Sequence, residues 1–321
     1  MGKKVIILNH GLHIAGVSRA LVNVANALVQ RGHDVTIKLE INNFTLEPEL
    51  DSRVKRELFL PEWRLLGKRI PGFLRFYGIF LKLFYKLPRR GLYRLVVGKD
   101  YDVEIGFNRG AAARIIAAST SKMAKKLVWV HSDYMRCGNG LAGFDSLEDA
   151  RQGYGCFDHI LCVSGQAEQS FRQLVGDYQT ISVQNNILNF ERIRSQAQAF
   201  SPEKNGLVLT AVGRVCEAKN YPMLLEAVSL LNQRGVKFTL WIVGGGADMD
   251  ELVAQKERMG LDNVVLWGAQ EKPYPYLAQA DGMERLLTDE ALRNHYEQRA
   301  VIRAEEYAPE RCVEEIEKLF I

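Results

Sequence analysis

The apolar positions of this chain follow two rhythms in turn. A short solid run, Val5–Leu8 in VIILN, gives way to a polar turn, HGLHIAGVS. Then comes RALVNVANALVQRG, where Leu21, Val24, Ala25 and Leu28 recur at helical spacing. A solid run this short is the usual form of a strand buried on both faces of a parallel sheet. Arg31-Gly32 gives the helix a basic last turn and a stop, and HDVTIKLE is a second strand. Strand, turn, helix and strand in so short a space make a βαβ unit of the doubly wound type.

The alternation continues. DVEIGF, KKLVWV, HILCVSG and TISVQNNIL predict strands; GAAARIIAAST and QAEQSFRQLVG predict helices. The polar AQAFSPEKN near Ala197–Asn205 predicts a linker. After it the pattern restarts. GLVLTAVGR, KFTLWIVGGG and NVVLWGA are strands, separated by YPMLLEAVSLLNQRG and ADMDELVAQKERMG as helices, and PYPYLAQAD is a short helix with proline in its first turn. From Gly282 to Ile321 only helix is predicted, interrupted at Pro309. The second half therefore shows three strands where a doubly wound domain has five or six. The expected division is a first domain over 1–197, a second over 206–300, and a terminal helix over 301–321 packing back on the first.

A length of 321 residues suits two domains, and 47% apolar with 25% charged residues is a globular composition. Five cysteines without a C-x-x-C pair are expected as free thiols in a reducing cytoplasm. MGKKVIILNHG is expected as a first strand rather than a signal peptide, and no uncharged run reaches transmembrane length. The net charge of +4 does not imply nucleic acid, but its distribution is informative. Between Trp63 and Lys99 lie ten Lys or Arg and no acidic residue, interleaved with aromatics. Such a stretch suits an anionic membrane surface, with Trp63, Arg64, Lys68, Arg69, Arg75, Lys82 and Lys86 as its contacts. The alternative is a helix pair with a solvated basic face. No nucleic-acid module accompanies it.

Ligands of doubly wound sheets sit beyond the carboxyl ends of strands, so residues just after each strand are the candidates for chemistry. Gly16 opens the first helix, where a ligand or merely a tight turn asks for glycine. His131 ends a strand in VHSD, placed to reach a substrate hydroxyl or simply structural. In GRVCEAKN, Gly213 permits close approach, and Arg214 and Lys219 bracket a turn at a helix start. Two cations there oppose the helix dipole unless an anion joins them, which points to a pyrophosphate. Gly244-Gly245-Gly246 suits backbone that hugs a ligand, or a flexible loop. G-x-G-x-x-G is absent, which removes the main support for a nicotinamide enzyme.

With these blocks in order, the chain resembles the retaining glycosyltransferases of family 4, which have the GT-B fold. The resemblance covers residues 1–281 and rests on AGVSRALVNVANALVQRGHDVTI, VWVHSD, ILCVSG, VQNNILNFERI, LTAVGRVCEAKNYPMLLEAVSLL, LWIVGGGADMDEL and VVLWGAQEKPYPYLAQAD; RLLTDEALRNHYEQRA resembles a late helix. It implies two Rossmann-like domains facing a cleft, the second incomplete here. It implies a nucleotide-sugar donor, UDP-linked in preference to GDP-linked, held mainly by the second domain, and an acceptor held by the first. It makes Arg214 and Lys219 ligands of the donor diphosphate in place of a metal, His131 a contact to the donor sugar, and Gly16 part of the loop near the diphosphate. No cofactor is expected. Ala15-Gly16 stands where Gly-Gly is commoner.

The resemblance also implies a further strand and an E-x7-E segment after Asp281, and here GMERLLTDEALR follows at once. About two βα units are missing. Glu284 and Glu290 are six apart and do not replace that pair. Three accounts fit: residues that this sequence lacks, an internal deletion, or a former enzyme kept for binding. A deletion would uncover the second sheet's apolar faces and a strand edge, which favours the first account. The expected function is sugar transfer from a nucleotide diphosphate to a glycan or lipid-linked acceptor at the inner face of a membrane. The alternative is an inactive, membrane-binding interaction protein.

Overall fold

The computed structural model describes residues 2–13, 15–42, 45–60, 73–98, 100–135, 143–281 and 309–320. The chain divides into two compact units, Met1–Leu188 with Glu306–Ile321, and Asn189–Glu305.

The first unit is built on a parallel sheet of seven strands in the order β3-β2-β1-β4-β5-β6-β7. These are β1 (Lys4–Asn9), β2 (Asp34–Leu39), β3 (Lys55–Leu58), β4 (Val103–Gly106), β5 (Lys125–Val130), β6 (His159–Cys162) and β7 (Ile181–Val183). The solid run in β1 now has its reason. Val5 and Ile7 enter one core, with α1 (Gly16–Gln30), while Ile6 and Leu8 enter the other. That second core is closed by α3 (Arg89–Val96), α4 (Ala111–Ala117), α5 (Leu147–Tyr154) and α6 (Gly165–Leu174). Helix α2 (Phe73–Lys86) enters it through Phe80, Leu81 and Phe84.

Three elements went unread in the sequence. Strand β3, KREL, is an edge strand paired only with β2 among the described residues, so its polar residues meet water and no apolar run marks it. Helix α5 starts at a cap, Ser146 Oγ accepting from the Asp149 amide at 3.1 Å, rather than from a strong apolar stripe. Helix α7 (Phe190–Ala197) buries no residue fully; it packs on α10 (Tyr274–Ala278) and so belongs to the second unit. The first unit accordingly ends at Leu188, earlier than the expected 197. Helix α11 (Pro309–Lys318) packs on α1 in the first unit, burying Cys312, Val313 and Ile316.

The second unit has a parallel sheet of three strands, β10-β9-β8, formed by β8 (Val208–Val212), β9 (Thr239–Val243) and β10 (Val264–Gly268). Helices α8 (Tyr221–Gln233) and α9 (Met249–Arg258) cover one face through Leu225, Val228 and Leu252. The other face buries only Val208, Trp241, Val243 and Tyr276 among the described residues. Along the far side of β8, the Asp281 amide donates to the Val208 carbonyl at 2.7 Å, and Asp281 Oδ2 accepts from the Val208 amide at 2.9 Å. Asp281 thus takes the position where a neighbouring strand would begin. Residues 282–308, with Glu284 and Glu290, lie outside the described residues. Cys156, Cys162, Cys216 and Cys312 are free thiols. No described helix is long and apolar enough to cross a membrane.

Candidate functional site

In the first sheet the chain leaves β1 toward β2 on one side and later returns as β4 on the other. Loops after β1 and β4 therefore diverge and open a crevice at the carboxyl ends of the two strands. Asn9, the last residue of β1, is buried there; its Oδ1 accepts from Asn108 Nδ2 at 2.7 Å and its Nδ2 donates to the Gly11 carbonyl at 2.8 Å. Ser18, on the first turn of α1, donates to the same carbonyl at 3.0 Å. This lattice fixes the loop that leads to Gly16. A Cβ on Gly16 would meet no atom within 4 Å, so nothing in the described structure itself requires glycine there.

His131 follows β5, one strand farther along the sheet. Its ring lies against Phe107, with centroids 4.9 Å apart. Burial lowers its pKa to about 4, only partly opposed by a hydrogen bond to the Phe107 backbone. The imidazole is therefore neutral at physiological pH. Nε2 is buried and has no hydrogen-bond partner among the described residues. In the neutral tautomer protonated at Nδ1, Nε2 carries a lone pair that can accept a hydrogen bond. An unpartnered buried acceptor costs about 1–3 kcal/mol unless a ligand supplies the donor.

In the second unit, three loops meet beyond the strands. The Gly213 amide donates to the Val243 carbonyl at 3.1 Å, the Val215 amide to Gly245 at 3.0 Å, and the Gly244 amide to Gly268 at 2.8 Å. The triple glycine is what lets them meet. A Cβ on Gly244 would collide with the Gly213 carbonyl, and one on Gly246 with the Val215 carbonyl; one on Gly245 would crowd Ala269 Cβ at 3.2 Å. These glycines join loop to loop, a role the sequence did not suggest.

Arg214 and Lys219 stand on this base. Val215 is buried and anchors the loop, while Arg214 is exposed. Glu217–Lys219 forms a single 3-10 turn, and Asn220 adopts a left-handed conformation, φ 49°, before α8 begins. Tyr221 Oη donates to the Gly213 carbonyl at 3.3 Å and ties the helix start to the strand end. Lys219 is exposed, its Cε 3.9 Å from the position of a Cβ on Gly213. Neither cation has a hydrogen bond or ion pair among the described residues. Both lie on the loop that leads from β8 into α8, Lys219 next to the cap residue Asn220, and α8 has no side-chain cap.

Residues 206–284 match the model of the family described as Glycosyl transferases group 1. The chain is similar to a solved structure of Anabaena Alr3699/HepE in complex with UDP and glucose, with a TM-score of 0.59 at 18% identity over 87% of this chain and 73% of that one. It is similar to a variant of S. aureus TarM in complex with Fondaparinux, alpha-GlcNAc-glycerol and UDP, with a TM-score of 0.58 at 12% identity over 87% and 80% of the two chains. A glycosyltransferase from Rickettsia africae ESF-5 gives 0.57 at 16% identity over 88% and 72%. The fold is GT-B. No curated protein matches the sequence.

Within this GT-B chain the basic stretch is described only in part. Trp63, Arg64, Lys68 and Arg69 lie outside the described residues, and Arg75 lies on α2 with its side chain outside them. Lys82 and Lys86 are exposed on α2. The sequence reading also missed Asn9 and Asn108. Asn9 carries a weak signal, a polar residue ending an apolar run. Asn108 carries none, since its partner is 99 residues away.

Proposed function

We propose that this protein is a GT-B glycosyltransferase that moves a sugar from a UDP-sugar to a glycan or lipid-linked hydroxyl, with retention. The observation that carries this is the pair Arg214 and Lys219. Two exposed cations, without partners among the described residues, lie on one loop over a glycine base, and Lys219 stands next to the start of α8, where the dipole favours an anion. The match of residues 206–284 to a glycosyltransferase family supports it. So do similar folds solved with UDP.

In the reaction the anomeric C–O bond to the diphosphate breaks, and the bonding pair leaves with UDP. Arg214 and Lys219 stabilise that growing negative charge in place of a metal. The acceptor hydroxyl forms the new C–O bond on the same face, and its proton passes to the departing phosphate. His131 Nε2 accepts from a hydroxyl of the donor sugar, which satisfies the buried nitrogen. Gly16, with no Cβ, leaves room for the diphosphate. The basic stretch supports a location at the inner face of a membrane.

The test is a transfer assay with UDP-sugars and a membrane lipid or glycan extract, reading UDP release and the anomeric configuration of the product. Release that depends on acceptor, with configuration kept, supports the proposal. Inverted configuration would overturn retention.

A second reading is a binding protein without transfer activity. It is favoured by the three-stranded second sheet, whose β8 edge meets only Asp281 among the described residues. This reading predicts binding to anionic vesicles and none to UDP.

A further inference from the structure

A groove of about 460 Å³ lies between α2, Leu95 at the end of α3, and the ends of β2 and β3. Its lining is apolar except for Lys38, which pairs with Glu57 at 3.0 Å. Phe80, Phe84, Leu58 and Phe59 form its floor and Leu83 and Leu87 its lip. The size is that of a small-molecule site. The lip is unusual for a soluble surface: Leu83 is 62% exposed and Leu95, beside it, 63%, with Ile79 one helical turn before Leu83 also exposed. Lys82 and Lys86 alternate with these residues on the exposed side of α2, and Arg90 and Arg94 continue the series on α3. None of the four has an ion-pair partner among the described residues.

Apolar side chains that reach outward among unpaired cations are what an interfacial helix presents. The identity of the occupant follows from the charge. A second copy of this chain would bring four like charges against four. A neutral apolar ligand would leave the cations unanswered. An anionic two-chain lipid answers both, with phosphate near the lysines and hydrocarbon in the groove.

We propose that this groove takes one acyl chain of an anionic phospholipid from the bilayer, so that the protein is anchored by a captured lipid as well as by surface charge. The proposal rests on the membrane-facing reading of the basic stretch and adds its lipid.

The test uses the full chain with phosphatidylcholine vesicles, with and without phosphatidylglycerol, and with lipids brominated at mid-chain. Leu83→Trp places a fluorophore at the lip, where the native side chain is exposed and folding is undisturbed. At least about tenfold tighter binding to the anionic vesicles is expected, with loss of most of that preference in Lys82→Glu/Lys86→Glu. The Leu83→Trp emission should be quenched by brominated chains beyond the quenching of the unsubstituted protein. Anionic binding without the added quenching would overturn the captured chain and leave the membrane reading intact. No vesicle binding would overturn both. Self-association that vesicles do not reverse would mean that the groove belongs to a second copy. UDP binding, measured in parallel, reports on the other unit and separates a failure here from a failure of the transferase reading.

Discussion

The two sheets are made from the same kind of strand and differ in how completely they are closed. In the first, seven strands carry a large core on each face, and β1 has a hydrogen-bonded neighbour on both sides. In the second, among the described residues, three strands carry a full core on one face and four buried residues on the other. Trp267 lies in that thinner layer with its Nε1 buried and without a partner among the described residues. Yet the second sheet carries the proposed anion site. That site depends on loops at one end of the strands, not on the breadth of the sheet. The local hydrogen bonds from Gly213 to Val243, Val215 to Gly245 and Gly244 to Gly268 hold it together.

The largest effect should come from the glycine base. Gly244→Ala puts a Cβ into the Gly213 carbonyl, so the second unit should lose about 3 kcal/mol or more while the first keeps its transition. Gly16→Ala should leave stability unchanged, because its Cβ meets nothing, yet weaken UDP-sugar binding. Thermal melts of both variants check the contrast. Equal losses would mean that neither glycine has the role assigned to it.

The second expectation concerns pH and belongs to the first unit. His131 is neutral when folded, with a pKa of about 4 against an ordinary value near 6.5. Between those values the unfolded chain binds a proton that the folded chain refuses. Stability is therefore complete above about pH 6.5 and falls as pH drops toward 4, by up to about 3 kcal/mol. His131→Phe keeps the ring contact with Phe107 and removes the unpartnered nitrogen. It should hold or raise the melting temperature, remove this pH dependence, and lower turnover about a hundredfold. A variant that melts lower and still turns over would make the histidine structural.

Hydrogen exchange gives the finest comparison. In a parallel ladder alternate residues face opposite neighbours. The Leu207 carbonyl and Gly213 amide face β9, and Val208 faces Asp281. Thr210 and Val212 therefore turn their amides to the far edge. These should exchange faster than any amide in the middle of β1. Protection equal to that of β1 would show that another strand covers the edge. Intact mass bears on the same point: 36.3 kDa corresponds to this sequence, and about 6–8 kDa more would supply two further βα units.

Much of this was legible in the sequence because parallel strands are buried on both faces. VIILN, KKLVWV and TLWIV announce themselves as solid runs, and GRVCEAKN announces charge where a strand ends. Where water reaches an element the signal fades, as in KREL on the sheet edge and FERIRSQA in α7. The Asn9–Asn108 bond could not be read at all, since it joins the ends of strands from distant parts of the chain. The packing of the triple glycine was hidden for the same reason. Its neighbours, Gly213, Val215 and Ala269, come from two other loops.

The central claim is that Arg214 and Lys219 hold a diphosphate. Calorimetric titration of the protein with UDP, repeated for Arg214→Ala and Lys219→Ala, tests it most directly. The account predicts saturable binding that weakens about thirtyfold or more in each variant, as for the loss of one charge-assisted contact of about 2 kcal/mol. Unchanged affinity in both variants, or no UDP binding by the unsubstituted protein, would contradict it.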